Sequence, residues 1–153
     1  RKPTDLASRP ALYTRQLGDI SVVRNGGTET EIRNTADGPL FQTLRNGIEG
    51  YRFDVPKGVY EIEFLFTDIF RQNSSAAYLL GRDGAHENRE STFGISINGS
   101  TVEESLSPCK ESGYFHALRK KYIVNNEADS LEIRFHTISG KCFLNGIKLR
   151  NIY

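Results

Sequence analysis

The chain has 153 residues, and its 20 basic and 19 acidic side chains nearly cancel to a formal net charge of +1. This length fits one domain with a sizeable core, and 37% hydrophobic residues place it outside the disordered class. The charges are interspersed and no basic run stands out beyond residues 119–121, which argues against a nucleic-acid-binding protein. No apolar run approaches the ~20 residues that a membrane-spanning helix needs, and no signal peptide is visible.

The sequence contains no methionine, and it opens with "RKPTDLASRP". We therefore expect a mature product or, in better agreement with this opening, a piece of a longer protein. The two cysteines, Cys109 and Cys142, are too few for a disulfide scaffold and lack the spacing of a metal site. The sequence leaves open whether they pair, since a fold of this size does not need the link.

The predicted elements begin after a segment with two prolines and little periodicity, residues 1–18, which we expect to be a linker or a strap over a domain formed by residues 19–153. From there the hydrophobic pattern has a period of two, as in β-strands. A turn is predicted at 25–27, and Asn98-Gly99 is a strong hairpin signal. The predicted strands are 20–23, 51–55, 59–66, 93–97, 100–104, 120–124, 130–136 and 142–152.

These short strands joined by turns, without strand–helix alternation, predict an all-β fold. We expect an antiparallel β-sandwich of the jelly-roll or Greek-key type, with at most one helical turn, in residues 113–121. One segment breaks the pattern: residues 71–91 separate two strands with polar, small and charged side chains. A loop of this length in a compact domain is usually functional or disordered.

No catalytic constellation is recognisable in the sequence. The three histidines, His86, His116 and His136, have no metal-binding partner at a suitable offset, and no Gly-x-Ser-x-Gly elbow surrounds a serine. The pair Glu61 and Glu63 falls on a predicted solvent face, although sequence alone leaves open two carboxylates that face each other across a cleft. We expect no catalytic residue, no cofactor and no metal site in this chain.

Binding is better supported by the residues. The segment 71–91 offers planar and hydrogen-bonding side chains, including Arg71, Gln72 and Tyr78, and sugar recognition needs such groups. A solvated surface loop explains the same composition equally well. Asn145 shares the inward parity of Ile147, and we expect it to bond a neighbouring backbone rather than a ligand, because a buried amide needs partners.

Several segments together resemble the malectin family of carbohydrate-binding domains, including the malectin-like modules at the end of bacterial family 2 glycoside hydrolases (β-galactosidase-like enzymes). They stand in the family's order. The segments are "VVRNGG" (22–27), "FQTLRNGIEGYRFDVPKGVYEIEFLFTDIF" (41–70), "FGISINGSTVEE" (93–104) and "GKCFLNGIKL" (140–149). The resemblance implies a β-sandwich whose ligand site is built by loops at one end of the sheets.

Carried over by position, the resemblance implies ligand contacts in the segments around 41–51, 68–70 and 139–141. With the polar residues of the 71–91 loop, the predicted ligand-binding residues are Arg45, Tyr51, Asp68, Phe70, Arg71, Gln72, Tyr78 and Lys141. In this set Phe70 and Tyr78 would stack on sugar rings, and the polar side chains would fix the orientation of the sugar. Asp68 has inward parity, and we expect it to emerge at the rim with Arg71 or Arg45 as its partner.

We therefore expect a non-catalytic carbohydrate-binding module of a larger bacterial glycoside hydrolase in the periplasm, at the cell surface or secreted. Its partners would be an oligo- or polysaccharide and the other domains of the parent enzyme, with no nucleic acid and no membrane span. The first alternative is an accessory structural domain that packs against the catalytic domains without binding sugar. The second is a jelly-roll enzyme in its own right.

Overall fold

The computed structural model describes residues 4–5, 14–71, 75–80 and 90–153. The strands are β1 (Thr4–Asp5), β2 (Thr14–Leu17), β3 (Arg24–Thr28), β4 (Thr43–Asn46), β5 (Gly50–Asp54), β6 (Gly58–Phe66), β7 (Ala77–Leu79), β8 (Thr92–Ile97), β9 (Ser100–Leu106), β10 (Leu118–Asn126), β11 (Ser130–Ser139), β12 (Phe143–Leu144) and β13 (Gly146–Asn151). The helical elements are a 3₁₀ turn (Ile20–Val22), α1 (Gly38–Phe41) and α2 (Pro108–Ser112).

The strands form three antiparallel sheets. Sheet A has the order β1-β13-β6-β10, sheet B has the order β2-β5-β11-β8-β9, and sheet C has the order β12-β4-β3-β7. Sheets A and B pack face to face, since the rings of Phe64 on β6 and Phe135 on β11 lie 6.0 Å apart between centroids. The predicted all-β antiparallel sandwich is confirmed.

Strand β6 lies at the centre of this packing because its sequence alternates as the pleat requires. Its inward side chains are fully buried, and burying each such side chain stabilises the fold by roughly 1.5–3 kcal/mol. They are Tyr60, Ile62, Phe64 and Phe66, all 0% exposed. On the other face, Glu61 pairs with Arg150 at 2.9 Å and Glu63 with Arg119 at 3.3 Å. The inward face agrees with the predicted alternation. The predicted solvent exposure of Glu63 is wrong, because basic side chains of β10 and β13 surround it and leave it 7% exposed.

Sheet C is fixed to the sandwich by an aromatic contact. Phe143 of β12 meets Phe66 of sheet A edge to face, with 6.1 Å between ring centroids, and Phe93 of sheet B at 5.8 Å. Edge-to-face geometry is the preferred arrangement of aromatic rings. One buried ring therefore holds the third sheet against the other two.

The turn predictions have mixed outcomes. Asn98 and Gly99 have φ of 50° and 83° and join β8 to β9, so the predicted hairpin turn is confirmed. The predicted turn at 25–27 is wrong, because these residues belong to strand β3.

The predicted strand 20–23 is also wrong, and the single helical turn that the sequence allowed in residues 113–121 does not form there. Residues 20–22 form a 3₁₀ turn in which Ile20 and Val22 are exposed, and the Asp19 carboxylate caps it by accepting from the Ser21 N–H at 3.0 Å. Within 113–121, β10 begins at Leu118, and the short helix α2 precedes the segment instead.

The described parts of the segment 1–18 pair with the sandwich. Thr4–Asp5 is hydrogen-bonded to β13 of sheet A, and Thr14–Leu17 to β5 of sheet B. The segment therefore reaches the edges of both main sheets, and Thr14–Leu17 brings Gln16 opposite Tyr51.

Asn145 interrupts the last predicted strand and connects it to sheets A and C. Its amide nitrogen donates to the carbonyls of Phe41 and Thr43, each at 2.9 Å, and its amide oxygen accepts from the N–H of Thr67 at 2.7 Å. Its own N–H donates to the carbonyl of Leu65 at 2.9 Å. The prediction that Asn145 bonds neighbouring backbone is confirmed.

Asp68 is buried at the end of β6, with 2% of its surface exposed. Its carboxylate accepts from the Phe70 N–H at 3.0 Å and from the thiol of Cys109. The backbone of residue 115 covers it, since the Phe115 N–H donates to the Asp68 carbonyl at 3.0 Å. The predicted position at the rim with an arginine partner is wrong, because α2 and the segment after it close over the strand end.

Burial raises the pKa of Asp68 to about 6, although the bonds from Phe70 and Cys109 oppose the rise; the nearby Glu90 carboxylate adds to it. Cys109 and Cys142 are both free thiols, which answers the question that the sequence left open. Burial also raises the pKa of Cys109, so its thiol stays protonated at neutral pH and can donate to Asp68.

We predict that Asn145→Ala lowers the free energy of unfolding by about 2–4 kcal/mol, because it leaves two carbonyls and one N–H without a protein partner. Urea denaturation at neutral pH measures the change. Asn125→Ala, which alters an exposed strand asparagine, is the control and should cost under about 0.5 kcal/mol. A similar small loss for both variants would show that the Asn145 bonds contribute little.

We also predict that ionisation of Asp68 destabilises the fold. A folded-state pKa near 6, above the usual 3.8, means that the folded chain binds the proton more tightly than the unfolded chain. The associated stability is complete below about pH 3.8 and is lost as the pH rises through 6, by roughly 3 kcal/mol in total.

Asp68→Asn retains an acceptor for the Phe70 N–H and removes the ionisation. Urea denaturation from pH 4.5 to 7.5 should therefore show a flatter pH dependence for this variant than for the wild type, with Asp54→Asn, an exposed acid that pairs with Arg52, as the control. Parallel pH profiles for wild type and Asp68→Asn would contradict the assignment.

Candidate functional site

A cavity of about 550 Å³ lies between sheet C and neighbouring strands of sheets A and B. This volume falls in the range of small-molecule sites. Its lining residues are Thr14, Asn25, Gly26, Thr43, Leu44, Arg45, Tyr51, Phe53, Tyr78, Leu80, Leu144, Asn145, Gly146 and Ile147. Most of them belong to strands, so this cavity is built by sheet surfaces rather than by the terminal loops that the resemblance implied.

Three of the predicted ligand-binding residues meet in this cavity: Arg45, Tyr51 and Tyr78. They come from β4, β5 and β7. Strand pairing brings β4 and β7 to opposite edges of β3, where Arg45 is opposite Asn25 and Tyr78 is opposite Gly27.

Gly26 and Gly27 allow β7 to approach β3 closely. A Cβ atom on Gly26 would lie 2.6 Å from the carbonyl oxygen of Tyr78, and one on Gly27 would lie 2.8 Å from the Tyr78 hydroxyl. Any side chain at either position would therefore displace Tyr78. The two glycines therefore position Tyr78, the exposed aromatic residue of the cavity. The sequence predicts only a turn at these glycines and gives no sign of this role.

Arg45 is held by two neutral groups. Its Nη1 donates to Oε1 of Gln16 at 2.7 Å, and it also hydrogen-bonds the Tyr51 hydroxyl. Burial raises the pKa of Tyr51, while the positive charge of Arg45 lowers it. The Tyr51 ring is 8% exposed and packs edge to face on Phe135, so its hydroxyl rather than its ring face is available to orient the guanidinium.

Tyr78 and Leu80 supply exposed apolar surface to the cavity. Their exposed fractions are 44% and 59%, which is high for a tyrosine and a leucine that line a cavity. Asn25 and Thr43 add amide and hydroxyl groups beside them. This combination of an aromatic ring, neutral hydrogen-bonding groups and a guanidinium can bind a flat polar molecule such as a sugar.

The other predicted residues do not line this cavity. Asp68 is buried beside Cys109, and Phe70 is half-buried with its ring packed edge to face on Phe143 at 6.3 Å. Arg71 and Lys141 are exposed elsewhere on the chain. Gln72 lies outside the described residues, as do 73–74 and 81–89 of the predicted loop; residues 77–79 form strand β7.

Sequence reasoning missed several lining residues, including Thr14, Asn25 and Leu80. Each lies in or beside a short strand whose partner is distant along the chain, and no local pattern marks such residues as neighbours. The "NGG" motif at 25–27 is a local signal for this region, but it predicts a turn and not a strand.

The described part of the chain offers no candidate metal site, no carboxylate in the cavity lining and no membrane-spanning helix. Residues 14–71, 75–80 and 90–153 contain no group of three or more His, Cys, Asp or Glu side chains that could hold a metal ion. The described residues of the cavity lining include no carboxylate. In the described residues, no helix has the length and apolar character needed to cross a bilayer.

The family model of the malectin domain matches residues 8–150. Among solved structures, the chain is similar to a region of β-glucuronidase 2 from Bacteroides uniformis, with 61% identity and a TM-score of 0.76. The match covers 95% of this chain and 15% of that protein, so the chain corresponds to a small part of the enzyme's length. A Bacteroides uniformis β-glucuronidase structure matches with the same values.

More distant structures share the fold alone. The plant receptor-like kinase FER is 21% identical over 84% of this chain and 33% of its own, with a TM-score of 0.60. The ANXUR1 extracellular domain from Arabidopsis thaliana is 15% identical over 92% of this chain and 40% of its own, with a TM-score of 0.66. No curated protein matches the chain. The resemblance noted in the sequence is thus confirmed, and the chain belongs to the malectin domain family.

Proposed function

We propose that this domain is a non-catalytic carbohydrate-binding module and that the cavity around Arg45 and Tyr78 is its sugar site. The observation that carries the proposal is the pairing, in one cavity, of an exposed tyrosine with a fixed guanidinium. The alternative hypothesis, an accessory domain without a ligand, does not explain why an exposed tyrosine and a fixed guanidinium lie in one cavity.

In this proposal the ring of Tyr78 covers the apolar face of a pyranose, with Leu80 extending the contact. Arg45, Asn25 and Thr43 bond the hydroxyl groups, and the amide of Asn145 is already satisfied by backbone. Because Gln16 and Tyr51 hold Arg45 in place, little side-chain entropy is lost on binding. Arg71, Gln72 and Lys141 stay predictions for contacts with longer ligands.

The module would serve a larger enzyme. A region of a β-glucuronidase is 61% identical to this chain, which supports a glycoside hydrolase as the parent protein. The β-galactosidase-like parent that the resemblance implied finds no such support. One open site of this kind binds with roughly millimolar to micromolar affinity, and tethering raises the local concentration of the enzyme at its substrate. We place the parent in the periplasm, at the cell surface or outside the cell, where polysaccharides occur.

We predict that Tyr78→Ala weakens sugar binding at least about fivefold, because a lost stacking contact costs on the order of 1 kcal/mol or more. A glycan array identifies a ligand, and calorimetric titration then measures its affinity for each variant. The matched control is Tyr153→Ala, since Tyr153 is 70% exposed and does not line the cavity. Equal affinity of Tyr78→Ala and wild type would place the sugar elsewhere, and binding of no glycan would favour the accessory domain.

We predict no turnover of chromogenic glucuronides or galactosides by this chain, because the described residues that line its cavity offer no carboxylate to act as acid, base or nucleophile. Absorbance of the released chromophore over several hours measures the rate against a buffer blank. Release that grows with protein concentration, and that persists in independently purified samples, would make the domain an enzyme.

A further inference from the structure

Among the described residues that line the cavity, Arg45 is the only one with a charged side chain. The rest of the lining is apolar or carries neutral hydroxyl, phenol and amide groups. A cavity with this composition has a local positive charge, even though the whole chain is close to neutral at +1. Its field therefore favours ligands with negative charge.

No acidic side chain in the described part of the chain neutralises this guanidinium. The described ion pairs of arginine involve Arg52, Arg119, Arg134 and Arg150, each with an aspartate or glutamate. Arg45 is bonded instead to the amide oxygen of Gln16 and to the Tyr51 hydroxyl. These neutral partners fix its direction without cancelling its charge.

We infer that the cavity selects a sugar that carries a carboxylate, that is, a uronic acid residue. This inference rests on the proposed carbohydrate-binding function and adds the chemical class of the ligand. A guanidinium has five N–H donors in a planar fork that matches a carboxylate, and the resulting bonds are charge-assisted. Tyr78 faces the ring, Asn25 and Thr43 meet hydroxyl groups, and Arg45 receives the C6 carboxylate.

The experiment compares matched ligands that differ only at C6. Methyl β-D-glucuronide, its 6-methyl ester and methyl β-D-glucoside have the same ring. A second pair, methyl β-D-galacturonide and its ester, differs from the first only at C4 and therefore separates the two common uronic acids. Chemical-shift titration of the ¹⁵N-labelled chain measures affinities down to the millimolar range. We expect the uronic acid that binds best to bind at least tenfold more tightly than its own ester. This ratio of affinities should shrink as salt is added, because salt screens the charge of Arg45.

The variants Arg45→Gln and Arg45→Lys test the residue. Arg45→Gln should bind the acid and its ester equally, and Arg45→Lys should retain part of the preference because it keeps the charge but loses the fork. Arg134→Gln is the control, since Arg134 is exposed on β11 and pairs with Glu132 at 3.3 Å. It should leave all affinities unchanged.

Two results would overturn the inference in different ways. Equal binding of acid and ester by the wild type would reject the uronic acid preference but leave sugar binding intact. Binding of none of these sugars, nor of any glycan on an array, would reject both the preference and the proposed function. If Arg45→Gln does not fold, the comparison of acid and ester on the wild type decides alone.

Discussion

The side chain of Asn145 links the parts of the cavity wall that come from sheet C and from sheet A. It bonds the backbone at the start of β4, through the carbonyls of Phe41 and Thr43, and the backbone after β6, so sheet C is linked to the central strand of sheet A. The cavity wall formed by residues 43–45 and 144–147 depends on that link. A single amide suffices because it offers two donors and an acceptor, and all three are used.

Strand β6 and the residues that follow it contribute to the core and not to the candidate site. The inward side chains of the strand up to Phe66 fill the core, and the strand end at Asp68 is closed over by α2 and the backbone of Phe115. Asp68, which the sequence predicts to contact a ligand, is thus part of the interior, where burial raises its pKa and Cys109 bonds it. Phe70 is likewise a packing residue, since its ring contacts Phe143 edge to face.

Electrostatics distinguishes the cavity from the rest of the surface. On the outer face of sheet A, Glu61 and Glu63 are paired with arginines and lysines, so charge is balanced within short distances. In the cavity, Arg45 has neutral partners instead. A balanced face interacts weakly with ions in water, whereas a fixed charge beside an exposed aromatic ring can discriminate between ligands.

The sequence by itself determined the fold class, the family, the inward face of β6, the hairpin at 98–99 and the structural role of Asn145. The family follows from the resemblance of several segments in their order along the chain. The other features depend on local alternation, on turn chemistry or on the hydrogen-bonding needs of one buried group, and these are visible in a short stretch of chain. Only the tertiary structure decided which polar residues meet. Arg45, Tyr51 and Tyr78 come together through strand pairings between distant segments, and Asp68 is buried by a segment some forty residues away. Such contacts depend on register and on what covers each strand end, and no local period encodes either.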